Sequence, residues 1–455
     1  MTQQESGNFN LLDWLHQDAA VAELLTLDAT FEAWVAIELA LAECQHEMGL
    51  LDEAVITQIR QLRDVRPTDF GQFRQSAMNV GYPIVGLVDV LNERLPLGAR
   101  GYLHLGATTQ DIMDSAAAMQ IRDAGRIMCG QIVAYGNGLA DLAARHAATP
   151  MAGRTHAHYA VPTTFGLKCA VYLGEATRNL SRLRAAIDGA AIVSLFGAAG
   201  TSAALGPDAA EIRMRLAAKL GLGSADLPWH VSRDRFAEVT FTCALICASL
   251  ARLAREVVDL SRTEIGEVSE TDGWHRGASS TMPQKRNPIS SEAILGMALT
   301  AQGAAASMMR AMEAGHERAA GEWQLEWKVL PEALRATSSA LALATGLLRG
   351  LVIHPDAMMR NLSLDHGLVM AEAYMLGLAR TLGREAAHDL VYRAARVARE
   401  EEITLPEAVL RIEPSAPSSF PDWPVRVDSY LGDAEQVCHA AVATWVAVRD
   451  GAVDC

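Results

Sequence analysis

From Arg233 to about Ser269 the chain runs without a proline, and its only glycine, Gly266, falls near the end. Apolar residues recur through it at Phe236, Val239, Cys243, Cys247, Leu250, Leu253, Val257 and Leu260. That three-to-four spacing is the period of one helix face. At about 1.5 Å per residue, such a helix spans on the order of 50 Å, more than a small domain needs. Similar patterns run from about Thr109 to Ala147, Thr163 to Ile192, Asn287 to Ala314 and Gly321 to Leu351. Five helices of this length, rich in Ala, Leu, Met and Val, predict a long bundle and an all-α fold. Alternation at strand period is nearly absent.

Alanine-rich stretches such as 301–306 leave little side chain for a core unless the helices approach closely. A helix apolar on most of its circumference must be buried on most sides. One chain offers too few partners, so bundles of several copies are expected to merge. Around this middle, residues 1–107 read as an N-terminal helical domain with loops near Asp64–Gly71 and Leu95–Gly101. Residues 108–352 form the central bundle. Residues 353–455 follow the His354-Pro355 break as a C-terminal helical domain with a proline-rich segment from Pro406 to Pro424.

Net charge is −15 and no Lys/Arg-rich stretch breaks the acidic background. Nucleic-acid binding needs a basic footprint and is not expected. The first residues, Met1-Thr2-Gln3-Gln4-Glu5-Ser6, show no basic region followed by an apolar run, so no secretory leader is expected. No stretch approaches about 18 uninterrupted apolar residues, which argues against a membrane span. The seven cysteines are scattered and odd in number, so no disulfide framework is expected and a reducing cytoplasm fits. Cys243 and Cys247, one helical turn apart, read as small buried residues rather than half a metal site.

Three separated segments carry chemistry. The first is His104-Leu105-Gly106-Ala107-Thr108-Thr109-Gln110-Asp111, the second Gly153-Arg154-Thr155-His156-Ala157-His158, and the third Ser279-Ser280-Thr281-Met282-Pro283-Gln284-Lys285-Arg286-Asn287-Pro288. Together, in this order and spacing, they resemble the three signature regions of the fumarase/aspartase superfamily. The resemblance runs essentially the whole chain. Further stretches are most similar to the 3-carboxy-cis,cis-muconate cycloisomerase branch: His316-Glu317-Arg318 with Trp323 and Trp327, Ser232-Arg233-Asp234-Arg235, and Arg360-Asn361-Leu362. The adenylosuccinate lyase branch is next. Its nucleotide-site histidine segment is replaced here by Ala77-Met78-Asn79-Val80-Gly81-Tyr82-Pro83, which speaks against a nucleotide substrate. The resemblance implies a three-domain subunit in a homotetramer with a twenty-helix core, each active site built from three subunits. It implies no metal or organic cofactor and a small dicarboxylate or polycarboxylate substrate.

Such enzymes remove a proton next to a carboxylate, and the doubly negative aci-carboxylate that results must be stabilised by preorganised charge and N–H groups. By position, Ser279 matches the family's general base; its hydroxyl needs help to act as one. Lys285 supplies positive charge and Asn287 amide donors. Asn287-Pro288 also reads as an N-cap and N1 proline, aiming a helix N-terminus at the loop as a place for a carboxylate. The loop from Gly266 to Pro283 reads as a lid over substrate. Thr108, Thr109 and Thr155 resemble the hydroxyls that hold substrate carboxylates, although Thr108 and Thr109 equally suit a plain N-cap. The resemblance adds Ser280, Met282, Arg154, His104, His158 and Arg235 to the substrate-binding set.

His156 resembles the histidine that serves the leaving group elsewhere in the family, paired with a glutamate seven residues after the loop lysine; that residue is Glu292. A carboxylate beside an imidazole keeps it cationic, as a general acid requires. The pair shifts the expectation toward β-elimination from a substituted succinate or aspartate, giving fumarate and an amine or similar group. Cycloisomerisation of 3-carboxy-cis,cis-muconate is the alternative, followed by a catalytically silent structural relative.

Overall fold

Thr108 and Thr164 start the first two of five long helices, and each does so by local chemistry. The computed structural model describes residues 10–66 and 70–451. The leader expectation at residues 1–6, the middle of the loop near residues 64–71, and Cys455 lie outside them. The long helices are α1 (Thr109–Arg145), α2 (Phe165–Ala190), α3 (Asp234–Leu260), α4 (Ile289–Ala311) and α5 (Glu322–Gly350). Before α1, Thr108 is extended (φ −119°, ψ 157°) and its N–H donates to Asp111 Oδ2 at 3.0 Å. Before α2, Thr164 Oγ1 accepts the Leu167 N–H at 3.0 Å.

α3 stops at Leu260, short of Ser269 where the proline-free run suggested its end. The apolar period itself ends at Leu260, and Ser261-Arg262-Thr263-Glu264 offers no face to bury. Gly266, at φ 63°, then turns the chain while its N–H donates to Arg262 O at 2.8 Å.

The five helices form one bundle in which α4 packs on α3 and α5, α1 on α2 and α5, and α2 on α3. Close approach is met with small residues: Ala293, Ala298, Ala301, Ala304, Ala305 and Ala311 of α4 are all buried. α3 is apolar and long enough to cross a membrane, which the count of uninterrupted apolar residues missed. Its buried face, from Phe236 to Leu260, lies in the main core of the bundle. Large apolar side chains nonetheless stay exposed on the bundle's outside: Phe241 and Leu245 on α3, Leu299 and Met309 on α4. Cys243 and Cys247 are buried and reduced, as are the other four described cysteines.

A C-terminal helix, Ala434–Asp450, lies across α1 and α2. Its Trp445 is fully buried, its Nε1–H donates to Asn137 Oδ1 at 3.0 Å, and its ring covers Gly136. A Cβ at Gly136 would sit 2.2 Å from Trp445 Cζ2. Gly136→Ala therefore overpacks this contact and is expected to cost about 1–3 kcal/mol. A drop in thermal midpoint checks it; an unchanged midpoint would show that the Trp445 ring yields.

Strands exist where none was expected. β1 (Pro150–Thr155) and β2 (His158–Thr164) form an antiparallel hairpin between α1 and α2, pairing Thr155 with His158 and Pro150 with Thr164. Short pairs join β3 (Ile192–Val193) to β4 (Gly223–Ser224) and β5 (Val268–Ser269) to β6 (Val352–Ile353). The hairpin was missed because β1 holds Gly153 and Arg154 and shows no alternation.

Two smaller cores flank the bundle. One gathers Phe31, Ile37, Leu41 and Ile56 with Leu195, Ile212 and Leu216, so residues beyond α2 pack on the N-terminal helices. The other joins Leu362, Tyr374, Leu390 and Leu405 with Ala152 of the hairpin.

Candidate active site

The third segment forms a pinched loop. Ala278 and Arg286 face each other in an antiparallel bridge, and the Asn287 N–H donates to Gly277 O at 2.8 Å. Gly277 is required, because a Cβ there would meet Asn287 O at 2.5 Å and its φ is 65°. Within the loop, Ser279 Oγ accepts the Met282 N–H at 3.1 Å and the Thr281 N–H at 3.3 Å. Lys285 is exposed, and among the described residues no carboxylate reaches its ammonium. Ser280 and Met282 are exposed beside it. A cleft of about 690 Å³ opens against this loop, walled by Trp274, His275, Pro283 and Lys285.

The helix after the loop departs from expectation. α4 begins at Ile289 with Pro288 as its cap, and Pro288 provides no capping side chain. Glu270 does that work instead, accepting the Ser290 N–H at 3.1 Å, the Ser291 N–H at 2.9 Å and the Ser291 hydroxyl at 2.8 Å. The positive end of α4 is thus neutralised from within and is not free for a substrate carboxylate. Glu270 lies twenty residues upstream of Ser290, so no local pattern announces it.

The second segment is the tip of the hairpin. His156 and Ala157 form its two-residue turn at φ 51° and 65°, the left-handed pair that a tight hairpin demands. Neither is glycine, so the turn holds strain, as functional sites often do. Thr155, His156 and His158 are exposed, and among the described residues no side-chain hydrogen bond holds either imidazole. Arg154 does not face outward with them. Its Nη1 and Nη2 grip buried Glu267 at 3.0 and 2.6 Å, and Asn361 Nδ2 donates to the same carboxylate at 2.8 Å. Arg154 thereby holds the hairpin against the start of the loop.

In the first segment, His104 sits at φ 62° with Nδ1 2.7 Å from Oε1 of buried Glu38. Burial alone would lower the imidazole pKa, but the Glu38 hydrogen bond and charge outweigh it and raise it. Thr108 is the N-cap and Thr109 the first helical residue, both partly exposed. Asp111, fully buried, is the hub. It accepts Thr108 N–H and Gly197 N–H on Oδ2, and Phe196 N–H, the Ser194 hydroxyl and His230 Nε2 on Oδ1, all within 3.0 Å. Burial pushes this carboxyl up, yet the His230 hydrogen bond and charge with the amide donors hold it below the ordinary carboxylate range.

Beside the hub, Gln110 donates to Asp114 Oδ2 and accepts from Arg318 Nη1 at 3.0 Å. Arg233 is buried between Asp114 and Glu326, and Trp323 Nε1–H donates to Asp114 Oδ1 at 3.1 Å. Of the muconate-like stretches, Arg233, Arg318 and Trp323 thus serve this network. His316 and Glu317 are exposed. Trp327 is 39 % exposed and packs on Trp323. Arg235 is half-buried in the first turn of α3, its Nη1 without a hydrogen-bond partner among the described residues.

The chain brings the second and third segments to one end of the bundle through Arg154–Glu267. It holds the first at the other end, because α1 with its 37 residues lies between Thr108 and the hairpin, roughly 55 Å of helix. His156 and Glu292 are both exposed, and among the described residues no ion pair joins them within one chain.

A lyase family model matches residues 4–303, and a model described as the adenylosuccinate lyase C-terminus matches residues 367–440. This chain belongs to the fumarase/aspartase superfamily of lyases. Among its relatives is 3-carboxy-cis,cis-muconate cycloisomerase of Pseudomonas aeruginosa, 40% identical over 89% of this chain and 90% of that protein. Nitrosuccinate lyase of Streptomyces davaonensis is 37% identical over 86% and 84% of the two chains. The crystal structure of a fumarate lyase from Mesorhizobium sp. BNC1 superimposes with a TM-score of 0.87 at 37% identity, covering 94% and 98%. The lyase is therefore an enzyme of a superfamily that acts on small polycarboxylates, and its all-α bundle is the superfamily's fold.

Proposed function

We propose that this enzyme performs β-elimination on a substituted succinate or aspartate, releasing fumarate and an amine or comparable leaving group. The observation that carries the reading is the pair of backbone N–H groups on Ser279 Oγ. Hydrogen bonds to the charged form lower a pKa, so these donors, with Lys285 in the same loop, favour the alkoxide that a serine base must become. Lys285 and Asn287 then neutralise the carboxylate as the carbon beside it loses its proton. His156 protonates the departing group, with Glu292 as the partner expected for it from another copy.

Since α1 separates Thr108 from His156 within one chain, the complete site is drawn from several copies. The exposed apolar residues of α3 and α4 supply surface for such a merger, and a homotetramer fits. The relative that acts on nitrosuccinate, a succinate bearing a C–N bond, lends support. The second reading, lactone-type cycloisomerisation of a carboxymuconate, is favoured by the 40% relative. Both reactions share the carbanion chemistry of the Ser279 loop and differ at the leaving group.

The test is a panel of N- and S-substituted succinates followed by fumarate's ultraviolet absorbance, with 3-carboxy-cis,cis-muconate alongside. Fumarate is expected from at least one substituted succinate. His156→Asn should lower that rate about 10²–10⁴-fold, the range of a lost general acid. Consumption of the muconate with silence from every succinate would replace this reading with the second.

A further inference from the structure

Trp323, Trp327, Leu330 and Pro331 follow one another on α5 at the spacing of a single helix face. Met113, Ala117 and Gln120 make a similar stripe on α1, while Trp34 of the helix Leu27–Glu47 and Pro83 close the sides. Between them lies a cavity of about 380 Å³, open to solvent where Leu27 and Trp327 are exposed.

The polar groups of its wall are already paired. Asp114 and Glu326 are buried, and Arg233 lies between them, donating to Asp114 at 2.8 and 3.2 Å and to Glu326 at 2.8 and 2.5 Å. Gln120 Nε2 donates to Leu24 O and to Thr30 Oγ1, each at 2.9 Å. Rings and alkyl groups make up the rest. Trp323 and Trp327 meet edge to face at 5.0 Å, and Tyr82 backs both at 5.5 and 6.3 Å, so the aromatic wall is fixed before anything binds. A charged group would leave water here for partners that are already engaged. An anionic one would also meet the Asp114 and Glu326 carboxylates behind the rings. An alkyl or aryl group buries apolar surface without either cost. Half-open apolar cavities of this size with a few fixed polar groups are the usual form of small-molecule sites.

Position ties the cavity to the reaction. Met113 follows Thr109 by four residues, so the two share one face of α1, roughly 6 Å apart along its axis. Helical side chains lean toward the N-terminus, which brings the cavity's Met113 over the turn that begins with Thr109. The cavity is therefore continuous with the first signature segment.

We propose that this cavity is the subsite for an uncharged apolar substituent, alkyl or aryl, carried by the substrate. The proposal rests on the β-elimination reading, in which the Thr108–Thr109 end of α1 belongs to the composite site, and it names the substrate class: succinates whose substituent is apolar. An apolar side chain of another copy is the competing occupant. Adjacency to Thr109 favours the substrate, and the experiment tells the two apart.

2-Benzylsuccinate and 2-methylsuccinate are titrated calorimetrically into the full-length protein, Trp327→Ala and Ala117→Phe, with molar mass followed by light scattering. Both ligands carry their substituent on a C–C bond and cannot release it. Binding thus reads the cavity alone, and a substrate panel that yields no fumarate leaves this result standing. The parent is expected to bind the benzyl compound about tenfold to a hundredfold more tightly, the effect of burying one phenyl ring. Trp327→Ala removes a wall and Ala117→Phe fills the space. Each should bring the two ligands within about threefold of one another at unchanged mass. Equal affinities in the parent overturn the proposal, as does a benzyl preference that survives in either variant that folds. So does a lower mass in Trp327→Ala, which would give the space to another copy.

Discussion

Ser279→Ala will lower turnover by about 10²–10⁴-fold, the contribution of a positioned general base, while substrate binding and secondary structure persist. The side chain is small and half-exposed at the pinch of a loop whose shape is set elsewhere. Gly277 O receives the Asn287 N–H, Ala278 bridges Arg286, and Glu270 ties Ser290 and Ser291 to the chain before the loop. None of these contacts involves the Ser279 hydroxyl, so its loss leaves the frame in place. What disappears is the oxygen onto which Thr281 and Met282 direct their N–H groups. The result to look for is a fall in kcat with KM little changed, together with an unaltered circular dichroism spectrum. Turnover within about tenfold of the parent would mean that the proton is taken by another group.

Asp111→Asn is expected to destabilise the fold by about 3–5 kcal/mol, the cost of uncoupling a buried charge from its partners. Five donors converge on this carboxylate from the helix cap, the 194–197 segment and His230. An asparagine keeps the shape but turns an NH₂ toward donors, leaving some of them unmatched. Urea denaturation measures the loss as a lower midpoint at unchanged slope.

The pH dependence carries its own sign. Because the Asp111 carboxyl is held below its ordinary value in the folded chain, its contribution is complete above the unfolded value of about 3.9. That contribution fades as pH falls through the lower folded value, where the native carboxylate must take up a proton. The stability gap between parent and variant should therefore stay constant above about pH 5 and close at more acid pH. A gap that is constant down to acid pH would show that Asp111 acts through shape alone.

The long helices were legible because each carries its signal in consecutive residues: apolar period, capping threonines and the absence of proline. Their ends were legible where a cap stood beside them, as at Thr108. They were misjudged at Leu260, where proline was absent but the apolar face had run out. The hairpin escaped notice because strand pairing joins residues whose side chains need not alternate when the hairpin's ends are anchored by Arg154 and Ala152. The chemical groups at Ser279, Lys285 and His156 stood out by residue type and spacing. The carboxylates that brace the three segments around them did not. Glu38, Glu267 and Glu270 meet their partners from 20 to more than 100 positions away, and nothing in the local pattern marks one glutamate over another.

By itself, then, the sequence determined the bundle and which chemical groups the loop carries, since helix period, capping and motif spacing are properties of neighbours along the chain. Only the tertiary structure decided which charges are free to meet a substrate. Arg154 and the start of α4 are already neutralised by Glu267 and Glu270, whereas among the described residues no carboxylate reaches Lys285. The reason is that charge compensation acts through space, over a few ångströms, between residues that only folding brings together.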